Sequence, residues 1–215
     1  LVMIAEQIKK FNDELPKGTT LVAVSKTKPN SAIEEAYGAG HRDFGENKVQ
    51  ELWQKAQTLP NDIRWHMIGH LQRNKVKHIA PFVHLIHGVD SVRPLAEINK
   101  QATKNHRIID VLIQIHIAEE SSKFGFSYSE AEALFSNENQ YPSIHIVGLM
   151  GMATFTKNKQ KVKSEFEALS AFYSEWKVKK SLTVLSMGMS NDYAVAIAAG
   201  SNMIRVGSLI FGRRN

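Results

Sequence analysis

Two lysines close the first apolar run of this sequence, and an amine at the end of a buried strand can do chemistry. Residues 21–29 read LVAVSKTKP. If the strand ends at Lys26, its two-residue alternation puts Lys26 on the same face as Val22 and Val24, at the rim of whatever the strand lines. Lys28 has the same parity, so alternation leaves the two equal. Position favours Lys26, because Lys28 stands directly before Pro29, where the strand has ended and a side chain can reach water. A lysine at a strand terminus commonly extends its ammonium into solvent. Held instead in a partly dry pocket, its amine loses its proton more readily and condenses with a carbonyl compound to a Schiff base.

A second group of residues suits a phosphate. SMGMSND places Ser186, Gly188, Ser190 and Asn191 in a loop after the seventh apolar run, ahead of a helix starting near Asp192, and the eighth run continues as RVGSLIFG. Backbone N–H groups, serine hydroxyls and a helix start are common means of holding a phosphate. Gly207 permits close backbone approach and Ser208 donates a hydrogen bond. Taken singly, either loop reads as an ordinary turn with a capping serine. Arg205 is either a surface residue or an inward one that meets a ligand; against a ring nitrogen it can only donate, which leaves a pyridine largely unprotonated.

Two more runs end in polar groups. FGENKVQE brings Glu46 and Asn47 to the rim after the second run, and HMIGHLQRNK brings His66, His70, Gln72 and Asn74 there after the third. His66 and His70 are four residues apart, but Gly69 and the strand-like setting deny them the shared helical face of an H-E-x-x-H zinc motif, and no glutamate lies between them. No catalytic metal site is expected.

Bringing these groups together is the task of the elements between them. Short apolar runs recur at 20–24, 42–44, 64–68, 83–89, 108–117, 144–150, 182–187 and 202–206, and read as eight strands. The segments between most of them carry helical spacing. Val162, Phe166, Leu169, Tyr173 and Trp176 form one stripe of a helix near 159–178. SAIEEAYGAG opens with a Ser31 cap and closes on glycine, while SVRPLAEINKQATK and SYSEAEALFSNE begin with serine. Eight strand–helix units in 215 residues predict an α/β fold: a single (β/α)8 TIM barrel over 1–215, preceded by a short helix near 2–14. The competing open, doubly wound sheet lacks its G-x-G-x-x-G fingerprint. A barrel places chemistry at the C-terminal ends of its strands, where the lysines and the phosphate-like loops lie.

Bulk properties narrow the function classes. The chain contains no cysteine, which excludes a disulfide framework and a cysteine nucleophile. No apolar run approaches the roughly 18–20 residues of a membrane span, and LVMIAEQIKKFNDEL breaks into charge too early for a signal peptide. A cytoplasmic chain without membrane contact is expected. The net charge of +6 is concentrated in KNKQKVK and KVKK, which flank one helical pattern with no interleaved aromatics. That pattern reads as a solvated helix face, so no nucleic-acid partner is expected.

LVAVSKTKP, FGENKVQE, WHMIGHLQRNK, KFGF, GLMGMAT, LSMGMSNDY and GSNMIRVGSLIFG, in that order over nearly the whole chain, resemble the YggS/PROSC family of pyridoxal 5′-phosphate homeostasis proteins, whose barrel is similar to the N-terminal domain of alanine racemase. The resemblance implies a fold type III barrel in which Lys26 forms the internal aldimine with pyridoxal phosphate and Asn47 lies beside the cofactor. It further implies Ser190, Gly207 and Ser208 as phosphate contacts, Met189 nearby and Arg205 toward the pyridine nitrogen. A monomer that holds and releases the cofactor, with apoenzymes as recipients and no catalytic residue, is the function it implies. A racemase is the alternative; the related racemase recruits a tyrosine from an additional domain of its partner subunit, and with the sequence ending at Asn215 no such domain is expected here. Two departures from the family pattern are a short N-terminal helix and HGVDS where HSVDS is usual.

Overall fold

The structure, a computed structural model, describes residues 3–122 and 124–213. Eight parallel strands, β1 (Thr20–Val24), β2 (Asp43–Glu46), β3 (Arg64–Met67), β4 (Leu85–Val89), β5 (Ile109–Gln114), β6 (Ile144–Gly151), β7 (Val184–Met187) and β8 (Met203–Val206), follow one another around a closed barrel. Closure is made where β1 pairs with β8, with Val22 opposite Arg205. An open sheet would leave both strands as edges. Around the barrel lie α1 (Ile4–Glu14), α2 (Asn30–Gly38), α3 (Val49–Thr58), α4 (Val76–Ile79), α5 (Val92–Lys104), α6 (Tyr128–Ser136), α7 (Lys159–Lys180), α8 (Tyr193–Ala199) and α9 (Ser208–Phe211). The predicted (β/α)8 fold is therefore observed.

Strand alternation divides the apolar residues into two sets. Leu21 and Ala23 point outward into the large core between barrel and helices, whereas Val22 joins Leu85, Leu112, Val147, Met150 and Met203 in a smaller cluster inside the barrel. The same parity sends His66, His87, Ser186 and Arg205 inward, so the interior is only partly apolar. Gly88 lets the Gly69 carbonyl approach, since a Cβ there would lie 2.5 Å from that oxygen.

Two local expectations change. β1 ends at Val24, not at Lys26: the Ser25 N–H still donates to the Gly45 carbonyl at 3.0 Å, but the Ser25 carbonyl turns to accept the Lys28 N–H at 3.0 Å. Ser31 does not cap α2, which begins at Asn30 after Pro29, a residue whose restricted φ suits a helix entry. Ser127, by contrast, caps α6 through a full capping box with Glu130. The expected start of the first helix near 2 falls on residues outside those described, and α1 runs from Ile4 with Ile8 and Phe11 in the core.

The apolar stripe of α7 is the longest seam between helix layer and barrel, with Phe166 and Leu169 at zero exposure and Trp176 half-buried at its end. Replacing Phe166 by alanine removes a fully enclosed ring and is expected to lower the folding free energy by about 3–5 kcal/mol. Urea denaturation checks this, and a loss below about 1 kcal/mol would show that the site collapses freely.

Candidate functional site

At the C-terminal mouth of the barrel lies a cavity of about 650 Å³. Lys26, Asn47, Met189, Ser190, Arg205, Gly207 and Ser208 all line it, although they come from the loops or ends of four different strands. Lys28 lines it as well.

Lys26 sits in the turn after β1, half-buried, followed by Thr27 with φ of 65°. A left-handed threonine is strained and must be held by its surroundings. Two side chains of α3 do this: the Glu51 carboxylate accepts the Thr27 N–H at 2.7 Å, and the Lys55 ammonium donates to the Ser25 carbonyl at 2.8 Å and to Glu51 at 2.8 Å. Lys55 also contacts the Glu46 carboxylate, which accepts from the Ser25 hydroxyl at 3.1 Å. The lysine-bearing turn is thus bolted to α3 from beneath.

This network corrects the expectation for Glu46, which does not reach the rim: it is fully buried in the wall between β2 and α3. Burial pushes its carboxyl up to about 7, against the lowering effect of Lys55. Lys28, expected to reach water, is instead half-buried, and its ammonium donates to the Gly212 carbonyl at 3.3 Å. The braced turn carries both lysines.

Opposite, the loops after β7 and β8 are tied together by the Gly207 N–H, which donates to Ser190 Oγ at 3.3 Å. Gly188 makes the first loop possible: its φ is +107°, and a Cβ would lie 2.7 Å from that of Ala196. Met189 is more than one-third exposed at the cavity edge, its N–H held at 2.7 Å by the Asp192 carboxylate. Ser208 opens α9, whose first N–H groups have no acceptor within the helix.

Arg205 points inward at 2% exposure and donates to Ser186 Oγ and, at 3.2 Å, to the Gly151 carbonyl. Burial brings its guanidinium down to about 10, opposed by the charge of Asp192, and it stays cationic at neutral pH. Ser186 is not a loop residue as expected. It lies within β7, completely buried.

The third-strand residues divide. His70 reaches the cavity, with Nδ1 at 2.7 Å from Asp90 and its ring stacked 4.0 Å from Phe124. Gln72 and Asn74 are exposed outside the cavity lining. His66 is fully buried in mid-barrel, not at the rim, because its parity on β3 turns it inward. It contacts Asp43, and those two with His84 bring three ligand atoms within 4.8 Å of one another. That group lies toward the opposite end of the barrel, and Arg64 already occupies both Asp43 oxygens at 2.9 and 2.8 Å, a cation where a metal would have to bind. KFGF begins at Lys123, outside the described residues, while its Phe124 lines the cavity and accepts from Gln114 at 3.1 Å.

Sequence reasoning did not single out Lys55, Glu51, Gln114 or Asp90. For the first two a signal was present: the i, i+4 pairing of Glu51 and Lys55 on the helix that follows FGENK.

Fold and site together define a (β/α)8 barrel with an amine, hydroxyls and a buried cation around one cavity at its C-terminal mouth. The family described as alanine racemase, N-terminal domain, matches residues 1–215. Pyridoxal phosphate homeostasis protein of Aquifex aeolicus is 36% identical over 220 residues, spanning 100% of this chain and 96% of the relative. The Escherichia coli K12 protein of the same name is 37% identical over 205 residues, 93% of this chain and 88% of its own length. PipY of Synechococcus elongatus, in a structure with PLP bound, superposes with a TM-score of 0.89 at 34% identity, covering 97% of this chain and 100% of that one. The chain belongs to the alanine racemase N-terminal domain family and, within it, to the pyridoxal phosphate homeostasis proteins. Alanine racemase of Bartonella henselae shares the fold alone, with a TM-score of 0.75 at 16% identity over 60% of its length.

Glu46 makes the brace pH-sensitive. Its carboxyl ionises near 4.5 when unfolded and near 7 when folded, so between those values the folded state holds a proton that the unfolded state lacks. Its stabilising contribution is complete below 4.5 and is lost as pH rises through about 7. Glu46→Gln is expected to flatten the fall in stability across that window, read as urea midpoints at several pH values. Identical slopes for wild type and variant would contradict it.

Proposed function

We propose that this chain binds pyridoxal 5′-phosphate, held covalently through the Lys26 amine, and that it holds and releases the cofactor in vitamin B6 homeostasis without turnover of its own. The observation that carries this reading is the donor set of one cavity. A braced lysine amine, the hydroxyls of Ser190 and Ser208 beside a helix start, and the buried Arg205 guanidinium suit an aldehyde, a phosphate and an aromatic ring nitrogen. When bound, the cofactor supplies an aldehyde carbon that condenses with a primary amine. Lys26 is the tether, Ser190, Gly207 and Ser208 receive the phosphate, Asn47 and Met189 flank the ring, and Arg205 faces its nitrogen. The names of the relatives, and the PLP bound in the PipY structure, support the same ligand.

The competing reading is an amino-acid racemase, which needs proton-transferring groups on both faces of the substrate carbon. Among the described residues lining the cavity there is no tyrosine, aspartate or glutamate, and the one imidazole, His70, is engaged with Asp90 and Phe124. Single-domain organisation over 1–215, a cytoplasmic place and cofactor-requiring apoenzymes as recipients belong to the same proposal. Among the described residues, no helix is long and apolar enough to cross a membrane.

Reconstituted protein is expected to be yellow, and borohydride reduction followed by peptide mapping to place the label on Lys26, with Lys26→Ala unlabelled. A label on Lys28, or a protein that takes up no cofactor, would overturn the assignment. Holoprotein offered amino-acid enantiomers is expected to give no steady turnover. Turnover that Lys26→Ala abolishes would replace this reading with an enzyme.

A further inference from the structure

A line of polar side chains runs through the barrel from the cavity toward its far end, and most of it has no part in the roles above. Arg205 contacts Ser186 Oγ, which lies 3.1 Å from His87 Nδ1. His87 Nε2 lies 2.8 Å from His66 Nδ1, and His66 Nε2 lies 2.9 Å from Asp43 Oδ1. Asp43 and its partner Arg64 are the first residues of β2 and β3, so the line ends at the N-terminal end of the barrel. Barrel interiors are ordinarily layers of branched apolar side chains. Four consecutive polar links in that place require a cause.

Donor chemistry gives the line one direction. A guanidinium only donates, so Ser186 Oγ accepts from Arg205, and an ionised carboxylate only accepts, so His66 Nε2 donates to Asp43. With both rings neutral the links between are then fixed, and Ser186 turns its hydrogen toward His87 Nδ1. That nitrogen is then an acceptor, and the His87 ring carries its hydrogen on Nε2, where it donates to His66 Nδ1. His66 in turn carries its hydrogen on Nε2 and donates to the Asp43 carboxylate. Burial holds His87 well below the usual histidine range, and it is neutral. Burial alone would raise Asp43, but the hydrogen bonds from His66 and Arg64 hold its carboxyl well below the usual range, so the line ends on an anion. His84 packs 5.3 Å from His66, ring to ring, and is exposed. Aligned hydrogen bonds polarise one another in a low-dielectric interior, and the Asp43 charge is thereby carried toward the guanidinium.

We propose that Ser186, His87, His66 and Asp43 are positioning residues for the cavity, holding Arg205 charged and fixed as a donor toward the ligand through a one-directional hydrogen-bond chain that ends at the far side of the barrel. The ligand's identity rests on the pyridoxal phosphate reading. For that ligand, the chain is what keeps the acceptor facing Arg205 unprotonated.

Two measurements test it. Histidine nitrogen-15 NMR of the ligand-free protein at neutral pH is expected to show His66 and His87 as neutral Nε2–H tautomers. Either ring protonated at Nδ1 overturns the chain, and because no ligand is present this arm decides even where cofactor uptake fails. The second arm is pyridoxal phosphate binding. Ser186→Ala is expected to weaken it about tenfold and Asp43→Asn, remote from the cavity, about threefold, on the scale of charge-assisted hydrogen bonds. Arg64→Gln breaks the Asp43 ion pair but leaves the chain, and is expected to change affinity less than about twofold. Ring-labelled cofactor adds its nitrogen shift, expected to move in the first two variants only. Wild-type affinity and shift in both Ser186→Ala and Asp43→Asn overturn the proposal, as does an Arg64→Gln effect equal to that of Asp43→Asn.

Discussion

A charge taken out of water has to be met by the protein, and the interior of this barrel is arranged around that constraint. Two cations are buried near the mouth. The Lys55 ammonium is met by Glu46, Glu51 and the Ser25 carbonyl, and in being met it fixes the turn that carries Lys26. The Arg205 guanidinium is met by Ser186 and the Gly151 carbonyl, and through Ser186 by a line of histidines. Each cluster satisfies its own cation and at the same time directs a group into the cavity.

The barrel supplies the geometry that makes this possible. Parallel strands end together at one rim, so short loops after β1, β2, β7 and β8 converge although they lie far apart in the chain. Strand parity then decides which side chains enter the interior. The cavity combines an amine on a braced turn with a buried guanidinium, a pairing suited to gripping a small phosphorylated aldehyde.

Much of the fold was legible because alternation and helical spacing report directly on burial: all eight strands and the α7 stripe fall where the apolar runs lie. The cavity-lining residues were legible only by combining strand-end position with family resemblance. Parity cannot separate Lys26 from Lys28, and the brace from Lys55, thirty residues beyond Ser25, holds the turn that carries both. The sequence alone puts Glu46, His66 and Ser186 at the rim or in a loop, because polar side chains at strand ends usually face solvent. Here each points into the wall or the interior, where a partner from a distant strand or helix satisfies it. Long-range polar pairing leaves no local period in a sequence.

The central claim is that Lys26 tethers pyridoxal phosphate in this cavity, and a crystal structure of the protein grown with the cofactor tests it most directly. Continuous electron density from the Lys26 Nζ into the ligand, with the phosphate among Ser190, Gly207 and Ser208, is the expected result. Density joined to Lys28, or a ligand lying elsewhere on the barrel, would contradict it.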